Sequence, residues 1–167
     1  MRTRPWPGSS PLGAAGVAML VAGPAMMARA AYGRREIRAE LAAQEIAFPA
    51  ERLPDGLASF AGRRVETGRQ ARAYAALIKH NLTGATGGRS YARLGAEIAA
   101  AKADGGSGER LAELQRTAFT GEMLRASLMS AYQAWQVTLL AGCLGGMATA
   151  LGAGLLAAGA PGGARRR

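Results

Sequence analysis

The chain has 167 residues, of which 49% are hydrophobic and 19% charged, and its formal net charge is +10. A single cysteine, Cys143, excludes a disulfide framework within the chain and a zinc site built on several cysteines. All 11 acidic residues lie between Glu36 and Glu122, while the unbalanced arginines flank apolar runs, so nucleic-acid binding is not expected.

The first predicted element is the apolar run of residues 12–28, which contains no charged residue. A membrane helix needs about 20 predominantly apolar residues. Pro24 lies inside the run, and membrane helices tolerate such a kink when neighbouring groups satisfy the freed carbonyl. We therefore predict a transmembrane helix over residues 12–31, preceded by a cytoplasmic N-terminus formed by residues 1–11.

The same run could instead be a signal peptide. Ala28 and Ala30 are small residues at the spacing that signal peptidase reads. Arg29 between them argues against cleavage, and the helical pattern continues beyond them, with Ile37 and Leu41 on one face. We therefore expect that the chain keeps this segment and that Ala30 is not a cleavage site.

Residues 32–133 are mixed in charge and predict a small helical extracytoplasmic domain. Prolines and glycines indicate that residues 47–66 are irregular or briefly extended. Thr67 and Gln70 have the spacing of a capping box, which predicts the start of a helix. The glycines of residues 83–88 predict its end.

A second helix is predicted to begin after Ser90, whose hydroxyl can cap it, and to end at the glycine-rich residues 104–108. From Glu109 onward no proline or turn cluster occurs before Pro161. One helix could therefore run from the aqueous domain into the membrane.

The second apolar run, residues 134–160, exceeds the length needed to cross a bilayer and predicts a second transmembrane helix. Aromatic and basic residues favour the headgroup layer, and they flank both runs. The predicted membrane-interface anchors are Tyr32, Tyr132, Trp135, Arg165, Arg166 and Arg167. Residues 161–167 would then form a basic cytoplasmic tail.

Orientation is predicted from the arginines that flank the two runs. The terminal arginines adjoin the runs directly and have no acidic neighbours, whereas the connecting segment is too long for its charges to retain it inside. We therefore expect a multi-pass protein of the plasma membrane with both termini in the cytoplasm.

The second run also carries small residues at every fourth position, namely Gly142, Gly146, Ala150 and Gly154. Such a stripe lets helix backbones approach closely, either within the chain or between copies. Its counterpart in the first run would be Ala14, Ala18 and Ala22. The alternative is that the stripe only reflects composition, because a second one exists at Ala141, Gly145, Thr149 and Ala153.

No motif for catalysis or metal binding accompanies these elements. His80 is the only histidine, and at the end of a predicted helix it interacts favourably with the helix dipole. A metal site needs several converging ligands. We therefore expect that the protein is not an enzyme, and that it has no catalytic residues, no metal site and no cofactor.

Two segments, ETGRQARAYAALIKHNL and AFTGEMLRASLMSAYQAWQV, resemble small two-span membrane proteins of high-GC Gram-positive bacteria. In that group an A-F-x-G-E-x-L-R segment runs into the final span. The matching residues here are Ala118, Phe119, Gly121, Glu122, Leu124 and Arg125. The similarity extends from about Glu36 to Trp135. It implies the two-span topology and no particular activity.

Together these observations predict an all-α membrane protein, with two transmembrane helices flanking a small helical extracytoplasmic domain. Its expected partners are the lipid bilayer and either a second copy or another membrane protein. We expect a structural or accessory subunit of an envelope assembly. The alternative is a membrane-anchored extracytoplasmic ligand-binding or sensor domain, which would need a pocket lined by Tyr74, His80 and Tyr91.

Overall fold

The computed structural model describes residues 11–159, and within that range it contains helices, one isolated β-bridge and no strands. The four α-helices are α1 (Pro11–Ala43), α2 (Gly68–Thr86), α3 (Tyr91–Ala103) and α4 (Glu109–Gly159). A short 3-10 helix, Asp55–Phe60, lies between α1 and α2. The all-helical class predicted from the sequence is confirmed for these residues.

The described residues form two compact units. We call residues 11–36 with residues 136–159 the helix pair, and residues 37–135 the helical unit. The long helices α1 and α4 each contribute residues to both units. The helix α1 continues past Ala30, as the sequence pattern predicts.

Several predicted segments lie outside the described residues. They are the N-terminus before Pro11 and the tail of residues 161–167. The three predicted anchors Arg165, Arg166 and Arg167 belong to that tail.

The core of the helical unit is centred on Phe48, whose ring is almost fully buried. It stacks on Phe60 with ring centroids 5.2 Å apart and meets the ring of Tyr74 edge-on at 5.1 Å. Aromatic pairs with these geometries are more favourable than their buried area alone suggests. The other buried core residues are Leu41, Val65, Ala71, Ala73, Ala75, Leu77 and Leu128.

Outside the 3-10 helix, the connection between α1 and α2 is held by backbone hydrogen bonds. The backbone N–H of Phe48 donates to the carbonyl of Arg63 at 2.9 Å, and that of Val65 donates to Ile46 at 2.9 Å. These bonds surround an antiparallel bridge between Ala47 and Arg64. The predicted irregular or briefly extended character is confirmed for residues 47–54 and 61–66, whereas residues 55–60 form the 3-10 helix.

Side-chain caps determine where α2 and α3 begin. The hydroxyl of Thr67 accepts a hydrogen bond from the backbone N–H of Gln70, whose side-chain oxygen accepts from the N–H of Glu66 at 3.0 Å. The hydroxyl of Ser90 accepts from the N–H of Arg93 at 3.2 Å. These bonds satisfy N–H groups that have no partner within the helix. Both predicted caps are confirmed.

The ends of α2 and α3 also follow from local sequence. Gly87 terminates α2 in the left-handed conformation, with φ of 60°, which glycine adopts without a steric penalty. The glycine-rich residues 104–108 separate α3 from α4. Both predicted breaks are confirmed.

Glycines allow close contact between α2 and α4. A Cβ atom added at Gly68 would lie 2.6 Å from the Cβ and Cγ atoms of Trp135. A Cβ atom added at Gly121 would lie 2.6 Å from the methyl carbons of Leu82. The atoms near Gly68 belong to the base of the Trp135 side chain and cannot move aside, so this glycine permits the close packing of the two helices, whereas the Leu82 methyl groups near Gly121 can shift.

Candidate functional site

The helices α1 and α4 are long and apolar enough to cross a membrane, judged by length and composition. Only 17% of the most apolar 18-residue window of α1 and 11% of that of α4 is buried inside the structure. A helix in the core of a water-soluble domain covers its apolar face with protein. Most of the apolar surface of these two segments is not covered in that way.

Residues 11–28 and 136–159 of the helix pair expose many large apolar side chains. They are Leu12, Val17, Val21, Met26, Met27, Val137, Leu139, Leu140, Leu144, Met147 and Leu151. Residues 11–28 of α1 and 136–159 of α4 contain no charged residue. Exposure to water costs about 25 cal/mol for each Å² of apolar area, whereas a hydrocarbon medium removes that cost.

The two helices of the pair approach each other at small residues, which we call the seam, and the side chains of Met19, Met26, Met27 and Leu156 pack beside them. In α1 the seam consists of Gly16, Gly23, Ala30 and Gly33, and in α4 it consists of Thr138, Gly142, Gly145 and Gly152. A Cβ atom added at Gly142 would lie 3.6 Å from the Cβ atom of Ala30, which is ordinary van der Waals contact. The helices run antiparallel, since the seam residues near the start of α1 face those near the end of α4.

The closest approach occurs at two reciprocal glycine pairs. A Cβ atom added at Gly145 would lie 2.6 Å from the carbonyl oxygen of Gly23, and one added at Gly23 would lie 2.6 Å from the carbonyl oxygen of Gly145. A Cβ atom added at Gly152 would lie 2.7 Å from the carbonyl oxygen of Gly16, and one added at Gly16 would lie 3.0 Å from the carbonyl oxygen of Gly152. Backbone is therefore packed directly against backbone, as in helix association within lipid.

Thr149 lies beside this contact, and its hydroxyl is already occupied. It donates a hydrogen bond to the carbonyl of Gly145 at 2.8 Å, one turn earlier in α4. A Cβ atom added at Gly23 would collide with this hydroxyl oxygen. The threonine thus fills the space next to Gly23 without presenting an unsatisfied polar group to its surroundings.

The predicted stripe of small residues is only partly involved in this contact. Gly142 faces Ala30, but Cβ atoms added at Gly146 or Gly154 would have no neighbour within 4 Å, and Ala150 is exposed. The prediction that this stripe packs against α1 is therefore wrong for all of its residues except Gly142. As a face between two copies it stays a prediction.

The predicted stripe of the first run is also wrong as the face that α1 presents to α4. Ala14, Ala18 and Ala22 are exposed, whereas Gly16 and Gly23 are buried. The two closest contacts are seven residues apart in both helices, with Gly16 and Gly23 in α1 facing Gly152 and Gly145 in α4. A four-residue spacing drifts around a helix, while a seven-residue spacing keeps one line of contact when two helices wind around each other.

The predicted interface anchors have different surroundings. Tyr32 is exposed, with the guanidinium carbon of Arg29 5.5 Å above its ring. The hydroxyl of Tyr132 accepts a hydrogen bond from Arg72 at 3.2 Å, and Trp135 packs on Gly68. Tyr132 and Trp135 therefore have packing roles in the helical unit. Their position at a membrane interface stays a prediction.

The pocket required by the ligand-binding alternative does not bring its three residues together. Tyr74 packs against Phe48 in the core. Tyr91 lines an open groove of about 460 Å³ with Leu82 and Ala118. His80 lines a different cavity. The three residues predicted to line one pocket therefore have separate surroundings in the fold.

A metal centre has no candidate in residues 11–159, where no three His, Cys, Asp or Glu side chains are close enough to hold one. The acidic side chains that form ion pairs there do so at the surface, as Glu97 does with Arg89 and Arg93, and Glu122 with Arg125. These are the charged helix faces expected of a solvated surface.

Comparison of the chain with protein-family models, with curated proteins and with solved structures finds no match.

Proposed function

We propose that this chain is an integral membrane protein of the plasma membrane, with spans at residues 12–31 and 134–160 and both termini in the cytoplasm. Residues 32–133 form its extracytoplasmic domain. The observation that carries this proposal is the helix pair, in which backbone packs on backbone through the seam while large apolar side chains cover the outside. That arrangement suits hydrocarbon, where close packing drives helix association.

Cysteine accessibility tests this topology. In a Cys143→Ala background, a cysteine replaces Ser107 in the exposed break between α3 and α4, or is added after Arg167. The Ser107→Cys variant should react with a membrane-impermeant maleimide in spheroplasts, and the C-terminal cysteine only after lysis. Both proteins should stay in the pellet after carbonate extraction. Release by carbonate would contradict membrane insertion, and the opposite labelling pattern would contradict the orientation.

We further propose that the protein acts as a structural or accessory subunit of an envelope assembly. The supporting observation is an apolar patch on the helical unit, which consists of Tyr91, Phe119 and Met123. All three side chains are about half exposed. The rings of Tyr91 and Phe119 are 5.9 Å apart, and Met123 follows Phe119 by one helical turn. Exposed apolar patches commonly mark contact with another protein.

A photo-crosslinking amino acid at Met123 tests the subunit proposal in native membranes. The expected result is a crosslink to the same protein that co-purifies with the full chain in mild detergent. Glu113, an exposed residue of the same helix, provides the matched control position. A product from Glu113 but not from Met123, or no product from either, would contradict a role for the patch.

The ligand-binding alternative has one observation in its favour, the open groove beside Tyr91, whose volume of about 460 Å³ is within the range of small-molecule pockets. A higher melting temperature of the purified full chain after addition of a small-molecule extract would favour this alternative. Loss of that shift in an Ala92→Trp variant, whose exposed position lines the groove, would assign the binding to it.

A further inference from the structure

We infer that Arg29, Arg34 and Arg35 bind the anionic headgroups of phospholipids, and we call these three residues the arginine collar. The inference rests on the proposed membrane insertion and goes beyond it, because it assigns a lipid class. Residues 29–36 of α1 hold every charged residue of the described helix pair. Glu36 is the one acidic residue among them, which leaves a positive excess at one level of the helix.

The register of the seam shows that α4 does not neutralise this charge. Ala30 faces Gly142, and Gly33 faces Thr138, so residues 136–142 lie beside the collar. That segment contains no acidic residue. Within residues 11–159, the ion pairs that form do not include any collar arginine. Within the described helix pair, Glu36 is therefore the one acidic side chain near the three arginines, and none of the three forms an ion pair.

The spacing of the collar matches the thickness of a headgroup layer. From Arg29 to Arg35 a helix rises roughly 9 Å, and each headgroup layer is roughly 5–8 Å thick. The guanidinium groups can also reach along the helix axis, because long basic side chains extend toward the interface. The collar begins where the uncharged residues 11–28 end, after a rise of roughly 27 Å that nearly crosses the hydrocarbon core.

The positions of the three arginines differ around the helix. At 100° per residue, Arg34 and Arg35 lie roughly 140° and 240° from Arg29, so the collar faces several directions in the membrane plane. Tyr32 stands between them in the chain, with the guanidinium of Arg29 over its ring. A guanidinium forms two parallel hydrogen bonds to a phosphate, which suits a lipid phosphodiester.

Spin-labelled lipids test this inference with the full chain in phosphatidylcholine vesicles. A trace of spin-labelled phosphatidylglycerol or phosphatidylcholine reports how strongly each lipid associates with the protein. We expect that the wild-type chain prefers phosphatidylglycerol. The R29Q/R34Q/R35Q variant should lower that preference at least about twofold, since each arginine near an anionic surface contributes roughly a fivefold factor but only some boundary lipids touch the collar.

Two controls separate the collar from charge in general. The Arg110→Gln variant removes an exposed arginine of the helical unit and should keep the wild-type preference. About 1 M NaCl, where the Debye length is about 3 Å, should reduce the preference of the wild-type chain. Phosphate at the same ionic strength as chloride should have no additional effect, whereas stronger competition by phosphate would identify a free anion as the ligand and overturn the lipid assignment.

The same spectra distinguish a failure of the proposed membrane insertion from a failure of the collar inference. If the chain is not inserted, neither lipid shows a motionally restricted component, and the proposed function fails. If restricted lipid is present but the triple variant keeps the wild-type preference, membrane insertion stands and the collar inference is wrong. Neutralising the collar removes positive charge from the outer side, so it does not oppose the proposed orientation.

Discussion

Replacing Gly145 by leucine should separate the helix pair, whereas the same change at Gly146 should not. The two positions are adjacent in α4 and differ in their surroundings. A Cβ atom at Gly145 would lie 2.6 Å from the carbonyl oxygen of Gly23, while one at Gly146 would have no neighbour within 4 Å. Both changes increase hydrophobicity equally, so insertion into the membrane should be unaffected.

The size of the effect follows from the contact distances. Ordinary contact for a Cβ atom begins at 3.4 Å, so even the first carbon of a side chain at Gly145 requires a displacement of about 0.8 Å. The obstacle is backbone, which cannot rotate away. A gap of 0.5–1 Å removes about a quarter to a half of the dispersion attraction between two surfaces. The further carbons of leucine increase the gap, and overpacking of this kind costs about 1–3 kcal/mol.

An engineered disulfide provides the assay. The Cβ atom of Ala30 and a Cβ atom at Gly142 are 3.6 Å apart, within the range of about 3.5–4.5 Å that a disulfide requires. Cysteines at both positions, in a Cys143→Ala background, should crosslink within one chain on mild oxidation. The crosslink should be lost with Gly145→Leu and kept with Gly146→Leu.

A crosslink that survives Gly145→Leu, or equal loss in both variants at normal membrane levels, would contradict the contact between Gly145 and Gly23. Crosslinked dimers in place of the intramolecular product would instead indicate that α4 pairs with another copy. A specific loss of such dimers with Gly146→Leu would support the stripe of Gly146, Ala150 and Gly154 as a face between copies.

Three further changes test the helical unit and the N-terminus. Gly68→Ala should lower the melting temperature, because its Cβ atom would collide with Trp135, whereas Gly84→Ala, which has open space in the same helix, should raise stability by up to about 1 kcal/mol. Phe48→Ala should destabilise the core by about 3–5 kcal/mol, measured by chemical denaturation, and a loss below about 1 kcal/mol would contradict its central position. Mass spectrometry of the purified chain should find residues before Ala31, and an N-terminus at Ala31 would contradict the uncleaved span.

The boundaries of α2 and α3 could be predicted from the sequence because they depend on neighbouring residues. Thr67 with Gln70, and Ser90, satisfy backbone N–H groups within one turn. The glycines after α2 and α3 adopt conformations that other residues avoid. Such interactions involve no distant part of the chain, so reading a few residues is sufficient.

The pairing of distant residues could not be predicted in the same way. The sequence does not show that the ring of Tyr74 turns toward Phe48 while Tyr91 approaches Phe119, because these contacts depend on how the helices of the unit pack. The proposed pocket of Tyr74, His80 and Tyr91 failed for this reason. Residue type identified possible ligand-binding side chains, but not which of them share a cavity.

The seam is an intermediate case. Its glycine spacing is present in the sequence, but other stripes of small residues are more conspicuous. A chain with 24 glycines and many alanines contains several stripes of small residues at a four-residue spacing. What distinguishes the seam is that two seven-residue series run in opposite directions. One step from Gly16 to Gly23 in α1 corresponds to one step back from Gly152 to Gly145 in α4, and each pair meets backbone to backbone. Equal steps in opposite directions keep both glycine pairs in register along an antiparallel pair of helices. A search for glycine pairs seven residues apart in both runs would have found Gly16 with Gly23 and Gly145 with Gly152, whereas Gly146 has no glycine seven residues away.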